Sequence, residues 1–181
     1  MEKSSNTLTK WAMTYGLYLG IFHIVFTVIL YLSGHLFDSK YLGYISTAVV
    51  IIITWIGLIK YRDHVNNGVL KYGQGLGLGV LISVFAGIFA AATMYIIMKF
   101  DGSLSDQMLS LMEEEVMKSG MSDDMLENVE KMYKIMVTPG VVAFSGFINK
   151  VFTGTLISLI VAAFVKKNPE SGFYEAVKDV E

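Results

Sequence analysis

Residues 76–98 read LGLGVLISVFAGIFAAATMYIIM, a run without a single charged side chain that closes on Lys99. At a rise of about 1.5 Å per residue, a helix of that length covers about 30 Å, the thickness of a bilayer's hydrocarbon core. Its small residues, Gly75, Gly79, Ser83, Gly87 and Ala91, recur at every fourth position and so lie on one helix face. In lipid the hydrophobic effect supplies no force between helices, and close approach along such a smooth face carries much of their association. The stretch predicts a transmembrane helix with another helix packed on that stripe. Matching small residues, Gly16 and Gly20, then Gly154, Ser158 and Ala162, stand in two other apolar stretches. Ordinary packing within one chain is the first reading of all of them, and a dimer face is the second.

Three further stretches share the character of 76–98: Trp11–Leu32, Leu42–Ile59 and Val141–Val165, none of them with an acidic residue. Each is about 18 to 25 residues long, enough to cross the membrane. The first is too long for the apolar part of a secretion signal, has no small-residue cleavage site after it, and is read as a retained span. Backbone groups in lipid must find partners within their own segment, and no short alternating strands of a barrel are visible, so the spans are helical. The 181 residues are 54% hydrophobic and 17% charged, with a mean hydropathy of +0.54. Lipid suits such a chain better than water. A net charge of -2 gives no basic field for nucleic acid, and with Cys 0 there is no disulfide, thiolate metal site or cysteine nucleophile. The expected fold class is all-α: a polytopic membrane protein of one domain, 1–181, with spans at about 11–32, 42–59, 76–98 and 141–165.

Lysine and arginine near the span ends predict orientation. Lys3 and Lys10, then Lys60, Arg62 and Lys71, then Lys166, Lys167 and Lys178 fall on one side; Lys40, Lys99, Lys118, Lys131 and Lys134 fall on the other. The bias favours cytoplasmic termini and a cytoplasmic tail over 166–181. Lys60, Arg62, Lys71, Lys166 and Lys167 are then candidates for contact with lipid headgroups. The segment 101–136 is acidic, with Glu113, Glu114 and Glu115 at its centre, and is expected to form a two-helix extracytoplasmic insertion. Ser103 or Ser105 caps a first helix that Gly120 ends, and Ser122 caps a second that stops before Pro139.

Against this pattern Lys150, with Asn149, stands inside the last span. An unpaired ammonium in the hydrocarbon costs about 3 kcal/mol or more. If the helix starts near Phe147, Lys150 snorkels to the external surface. If it starts at Pro139, which suits a first helical position after Thr138, Lys150 lies near mid-membrane and lines a polar cavity or binds an anionic group. His23, near the middle of the first span, is a core histidine or a partner of Lys150 and Asn149 across the bundle. His35 and His64 fall in loops on opposite sides, which disfavours haem. The glycines of 73–79 alternate and no Lys-Ser/Thr follows, so the run is not a phosphate loop. Methionines crowd 108–136, but with no histidine or cysteine beside them they read as adaptable apolar filler before a copper site. No catalytic motif is visible, so no enzyme activity, metal or cofactor is expected.

Tyr61-Arg62-Asp63-His64, then Asn67-Gly68, then Tyr72-Gly73-Gln74-Gly75, with Pro139 and the end Lys166-Lys167-Asn168-Pro169, resemble a bacterial family of four-span membrane proteins, domain of unknown function 4199. The resemblance covers nearly the whole chain and implies a bacterial inner-membrane location, and the family brings no activity or site residues with it. The leading expectation is a non-enzymatic structural or accessory membrane module, surrounded by lipid and open to a homo-oligomer or a membrane-protein partner. The second is a small transporter or ligand-binding membrane protein with Lys150, Asn149 and His23 around a midplane cavity that the methionine-rich helices close.

Overall fold

The computed structural model describes residues 2–37, 40–118 and 131–168. Five helices follow one another: α1 (Glu2–Leu32), α2 (Lys40–His64), α3 (Tyr72–Phe100), α4 (Ser103–Lys118) and α5 (Pro139–Val165). A helical turn over 131–136 leads into α5. Among the described residues there is no strand, and a single antiparallel bridge joins Leu70 to Lys167. α1, α2, α3 and α5 are long and apolar enough to cross a membrane, and only 22–33% of the most apolar window of each is buried within the chain. The remaining surface is a coat of large apolar side chains, such as Ile21, Val25 and Ile29 on α1 and Phe144, Phe152 and Phe164 on α5. Such a coat needs lipid around it. This is an integral membrane protein.

α3 is the central helix, with α1 on one flank and α5 on the other, and α2 rests on α1 and α5. The small-residue stripe is where α5 meets it. A Cβ added at Gly79 would run into the Ser158 side chain, and one at Gly154 into Ser83. The two helices thus exchange a serine for a glycine at each crossing. Both hydroxyls turn back on their own helix, Ser83 donating to the Gly79 carbonyl at 3.0 Å and Ser158 to the Gly154 carbonyl at 2.6 Å. Both serine hydroxyls are thereby satisfied. Gly75 faces Ala162 and Gly87 faces Phe147 in the same way. On the opposite flank Gly16 and Gly20 of α1 receive Phe85 and Phe89 of α3. The stripes are filled by neighbours within the chain.

At the end of the bundle that carries the α2–α3 connection, backbone and side chains form a tight closure. Asn67 and Gly68 take positive φ, 51° and 78°, to reverse the chain. Leu70 and Lys167 exchange backbone hydrogen bonds at 2.9 Å. Arg62 pairs with Asp63 at 2.7 Å and donates to the Val165 carbonyl at 3.2 Å, satisfying one of the orphan acceptors that end α5. The Lys71 N–H donates to the Gln74 side chain at 3.2 Å, while Asn66 donates to the Val69 carbonyl at 2.6 Å. Above this closure lie Leu58, Tyr61, Leu78, Ile82 and Ala162, all nearly inaccessible. Tyr61 is therefore a core residue. The indole of Trp11 fixes α1 to α2 through the Gly57 carbonyl at 3.1 Å.

At the other end Asp101 organises the start of α4. Its carboxylate accepts the Tyr31 hydroxyl at 2.8 Å and the Ser103 N–H at 3.0 Å. The cap of α4 is thus Asp101. Ser103 is already the first helical residue, and Ser105 instead donates to the Val137 carbonyl at 3.3 Å. Leu104 and Val116 are the buried part of the α4 face, while Leu111 is exposed. Residues 119–130, which contain the expected helix end at Gly120 and the second cap at Ser122, lie outside the described residues.

Hydrogen bonds from the Ser103 hydroxyl, the Tyr31 hydroxyl and the Ser103 N–H hold the Asp101 carboxyl below the usual carboxylate range. A depressed folded value stabilises the cap at pH above the ordinary carboxylate pKa and loses that stabilisation as pH falls through the folded value. Hydrogen exchange at the amides of the first α4 turn is expected to stay slow at neutral pH and quicken only in acid. Tyr31→Phe should move the onset to higher pH, and an unchanged onset would deny Tyr31 its part in the cap.

Candidate functional site

α5 begins at Pro139, with Thr138 in an extended conformation before it. Proline has no N–H to lose at a first helical position, and its fixed φ suits the start. The helix thus starts at Pro139 and not near Phe147, and a full three turns separate Lys150 from its first residue. The ammonium is partly buried and points to α2, where the Ser46 hydroxyl lies 3.5 Å away. His23 of α1, only 3% exposed, faces the same space.

That space is a pair of adjoining cavities of about 370 and 210 Å³, both lined by His23, Gly43, Ser46 and Lys150. The larger runs towards the α1–α2 turn past Phe26, Leu30, Ala91 and Met94, and ends at His35 and Phe37. The smaller reaches along α3 and α5 to Ser83, Asn149 and Thr153. All four spans contribute, so the chamber lies on the bundle axis in the half that carries the α1–α2 turn. Among the described lining residues there is no aspartate or glutamate in either cavity. A lysine thus stands in a mostly carbon wall with no described carboxylate beside it, and keeping its ammonium charged there is costly.

Small residues make the room. Added Cβ atoms at Gly43 and Gly146 would touch nothing within 4 Å, and Ala90, Ala91 and Ala143 complete that side. Gly34, with φ 72°, turns the chain beyond α1. His35 follows it, with Nδ1 at 2.6 Å from the Ser33 carbonyl. A carbonyl only accepts, so Nδ1 carries the proton there.

Of the three residues expected around a midplane site, Lys150 and His23 line both cavities, and Asn149 lines the smaller one from an exposed position. Ser46 and the open glycines escaped the sequence reading, since one serine near a span end and two isolated glycines carry no pattern. Met94 of α3 lines the chamber and Met108 and Met112 of α4 are not among its lining residues, while the turn at His35–Phe37 lines its outer end; the second methionine-rich helix falls largely on 119–130, outside the described residues. Lys60, Lys71 and Lys166 are exposed at the opposite end of the bundle, where Arg62 and Lys167 are engaged in the closure. Among the described residues no group of three or more His, Cys, Asp or Glu converges as metal ligands would.

Four apolar spans around a lysine-bearing chamber define an all-α, four-span integral membrane protein. The chain belongs to the family described as protein of unknown function, DUF4199, whose pattern matches residues 14–167. No curated protein and no solved structure is significantly similar to it. The stretches Tyr61–His64, Asn67–Gly68, Tyr72–Gly75 and Lys166–Asn168 fall inside or beside that match, and they meet in the closure at one end of the bundle.

Proposed function

We propose that this protein is a non-enzymatic, ligand-binding membrane protein that receives an anionic group at Lys150, with His23 and Ser46 beside it. The observation that carries the reading is the convergence of Lys150, His23 and Ser46 on a chamber without a described carboxylate. A buried ammonium is kept at a cost of about 3 kcal/mol. A structural module that only fills and joins the bundle has no use for that expense, and an apolar side chain in its place packs better. The accessory-module reading predicts instead that Lys150 and His23 tolerate neutral substitution without any loss.

The setting is the bacterial inner membrane with both termini in the cytoplasm, a reading supported by the lysine and arginine bias of the span ends. The chamber then opens on the external half, and the closure built from Arg62, Leu70 and Lys167 lies at the cytoplasmic face. Lys60, Lys71 and Lys166 there contact anionic headgroups. Because Gly75, Gly79, Ser83, Gly154 and Ser158 are occupied within the chain, a homo-oligomer or a membrane-protein partner would have to use the outward apolar faces.

Native mass spectrometry of protein extracted gently from its own membrane tests the proposal. The expected spectrum carries one retained anionic species that is absent from Lys150→Met. Empty protein in both, or a second polypeptide in place of a small molecule, would return the weight to the accessory module.

A further inference from the structure

We infer that the chamber selects a singly charged carboxylate carrying an unbranched or slim apolar chain of about eight to ten carbons, a reading that rests on the anion site proposed above. Three observations lead there. First, the polar groups are gathered at the deep end: Lys150, His23 and Ser46 meet where the two cavities join. Between them and the turn, the wall of the larger cavity is mostly carbon, from Phe26, Leu30, Leu36, Ala91 and Met94, interrupted by Thr27. A small hydrated anion would satisfy the ammonium and leave that wall facing water; an apolar chain covers it, and burial of each methylene is worth about fourfold in affinity.

Second, the charge balance is one to one. Lys150 is the only lysine or arginine among the described lining residues of either cavity. A dianion would hold one charge without a partner in a medium where such charges are strongly disfavoured. The carboxylate of a fatty acid matches the site; a doubly charged phosphate monoester does not. Its two oxygens can take the ammonium and the Ser46 hydroxyl, which already lie 3.5 Å apart.

Third, the cavity, which is open on one side, shelters only a chain of limited length. At roughly 30 Å³ per water-sized group, the 370 Å³ cavity holds about a dozen non-hydrogen atoms. Octanoate and decanoate fit within that limit, whereas a two-chain phospholipid exceeds it several times. The ligand enters head first, carboxylate to Lys150, and its tail ends under the turn at His35–Phe37.

The test is a binding titration on the full chain in nanodiscs of zwitterionic lipid, using acetate, octanoate, decanoate, tetradecanoate, octanol and octyl phosphate as probes. Octanoate is expected to bind at least about a hundredfold tighter than acetate, with the gain ending between decanoate and tetradecanoate. Octanol, matched in tail and lacking the charge, should bind at least about tenfold more weakly than octanoate. Lys150→Met should remove the difference between octanoate and octanol, which also separates binding from simple partition into lipid. Ala91→Phe should lower octanoate affinity towards that of acetate. If acetate binds through Lys150 and longer chains gain nothing, the amphiphile is wrong and the anion site stands. If octyl phosphate binds more than about tenfold tighter than octanoate, the single-charge selection is wrong. If no anion binds through Lys150, both readings fall.

Discussion

Gly79→Leu is expected to unfold the α3–α5 contact, with a loss of about 3 kcal/mol or more. The reason is geometric. Even a methyl group at position 79 would meet the Ser158 side chain, with its Cβ only 2.7 Å away, and Leu adds three further carbons behind that. α3 cannot give way on its far side, because it carries Phe85 and Phe89 in the Gly16 and Gly20 notches of α1. Reversible unfolding in a lipid-like medium measures the loss. Two companions make the measurement decisive. Gly77→Ala lies on the same helix, where an added Cβ meets nothing within 4 Å, and should be neutral or raise stability by up to about 1 kcal/mol. Gly79→Ala combined with Ser158→Gly exchanges the small and large partners, and should recover half or more of what Gly79→Ala alone loses. A double-mutant cycle with no coupling would show that the two residues do not share a contact.

Lys150→Met should do the reverse, raising the stability of the ligand-free protein by about 2 kcal/mol. Removing a charge from the middle of a span relieves about 2.5 to 3.5 kcal/mol. The lost hydrogen bond to Ser46, long at 3.5 Å, returns at most about 1 kcal/mol of that. The desolvation side is the larger, and methionine's flexible thioether fills the vacated space without strain. Stability gained together with binding lost is the mark of a group retained for function. Were Lys150→Met instead clearly destabilising, the ammonium would be serving the fold and not a ligand.

The architecture was legible because lipid imposes few solutions. The span read at 76–98 lies inside a helix running Tyr72–Phe100, and the one at 42–59 inside Lys40–His64. The helices outrun the apolar stretches because hydrogen bonding does not end where lipid does. Lys3 and Lys10 ride on α1, and Tyr61 turns into the core two residues beyond the last apolar run. The starting point of α5 was ambiguous for a specific reason. Gly140, Ser145 and Gly146 are all weak helix formers, and they competed with the favourable placement of Pro139. Only neighbouring helices settle such a contest.

The site was half legible. Lys150 and His23 stand out by chemistry alone, since any ionisable residue at membrane depth needs a reason. Their meeting was not legible, because it depends on how four helices are rotated about their axes. That rotation is set by notches such as Gly154 against Ser83, which sequence shows as stripes without saying which stripe faces which. The emptiness of the chamber was equally hidden. Gly43 and Gly146 look like any other glycine until the structure shows open space in front of them.

The most direct test of the anion site is the unfolding midpoint of wild type and Lys150→Met in zwitterionic nanodiscs, as acetate replaces chloride at constant ionic strength. A ligand that binds only the folded form raises stability by RT ln(1 + [L]/Kd), or about 2.7 kcal/mol at a hundredfold excess over Kd. Wild type should become more stable with rising acetate, while Lys150→Met, starting higher, stays flat. Parallel behaviour of the two proteins, whether both rise or neither does, would contradict the assignment of Lys150 as the seat of the ligand.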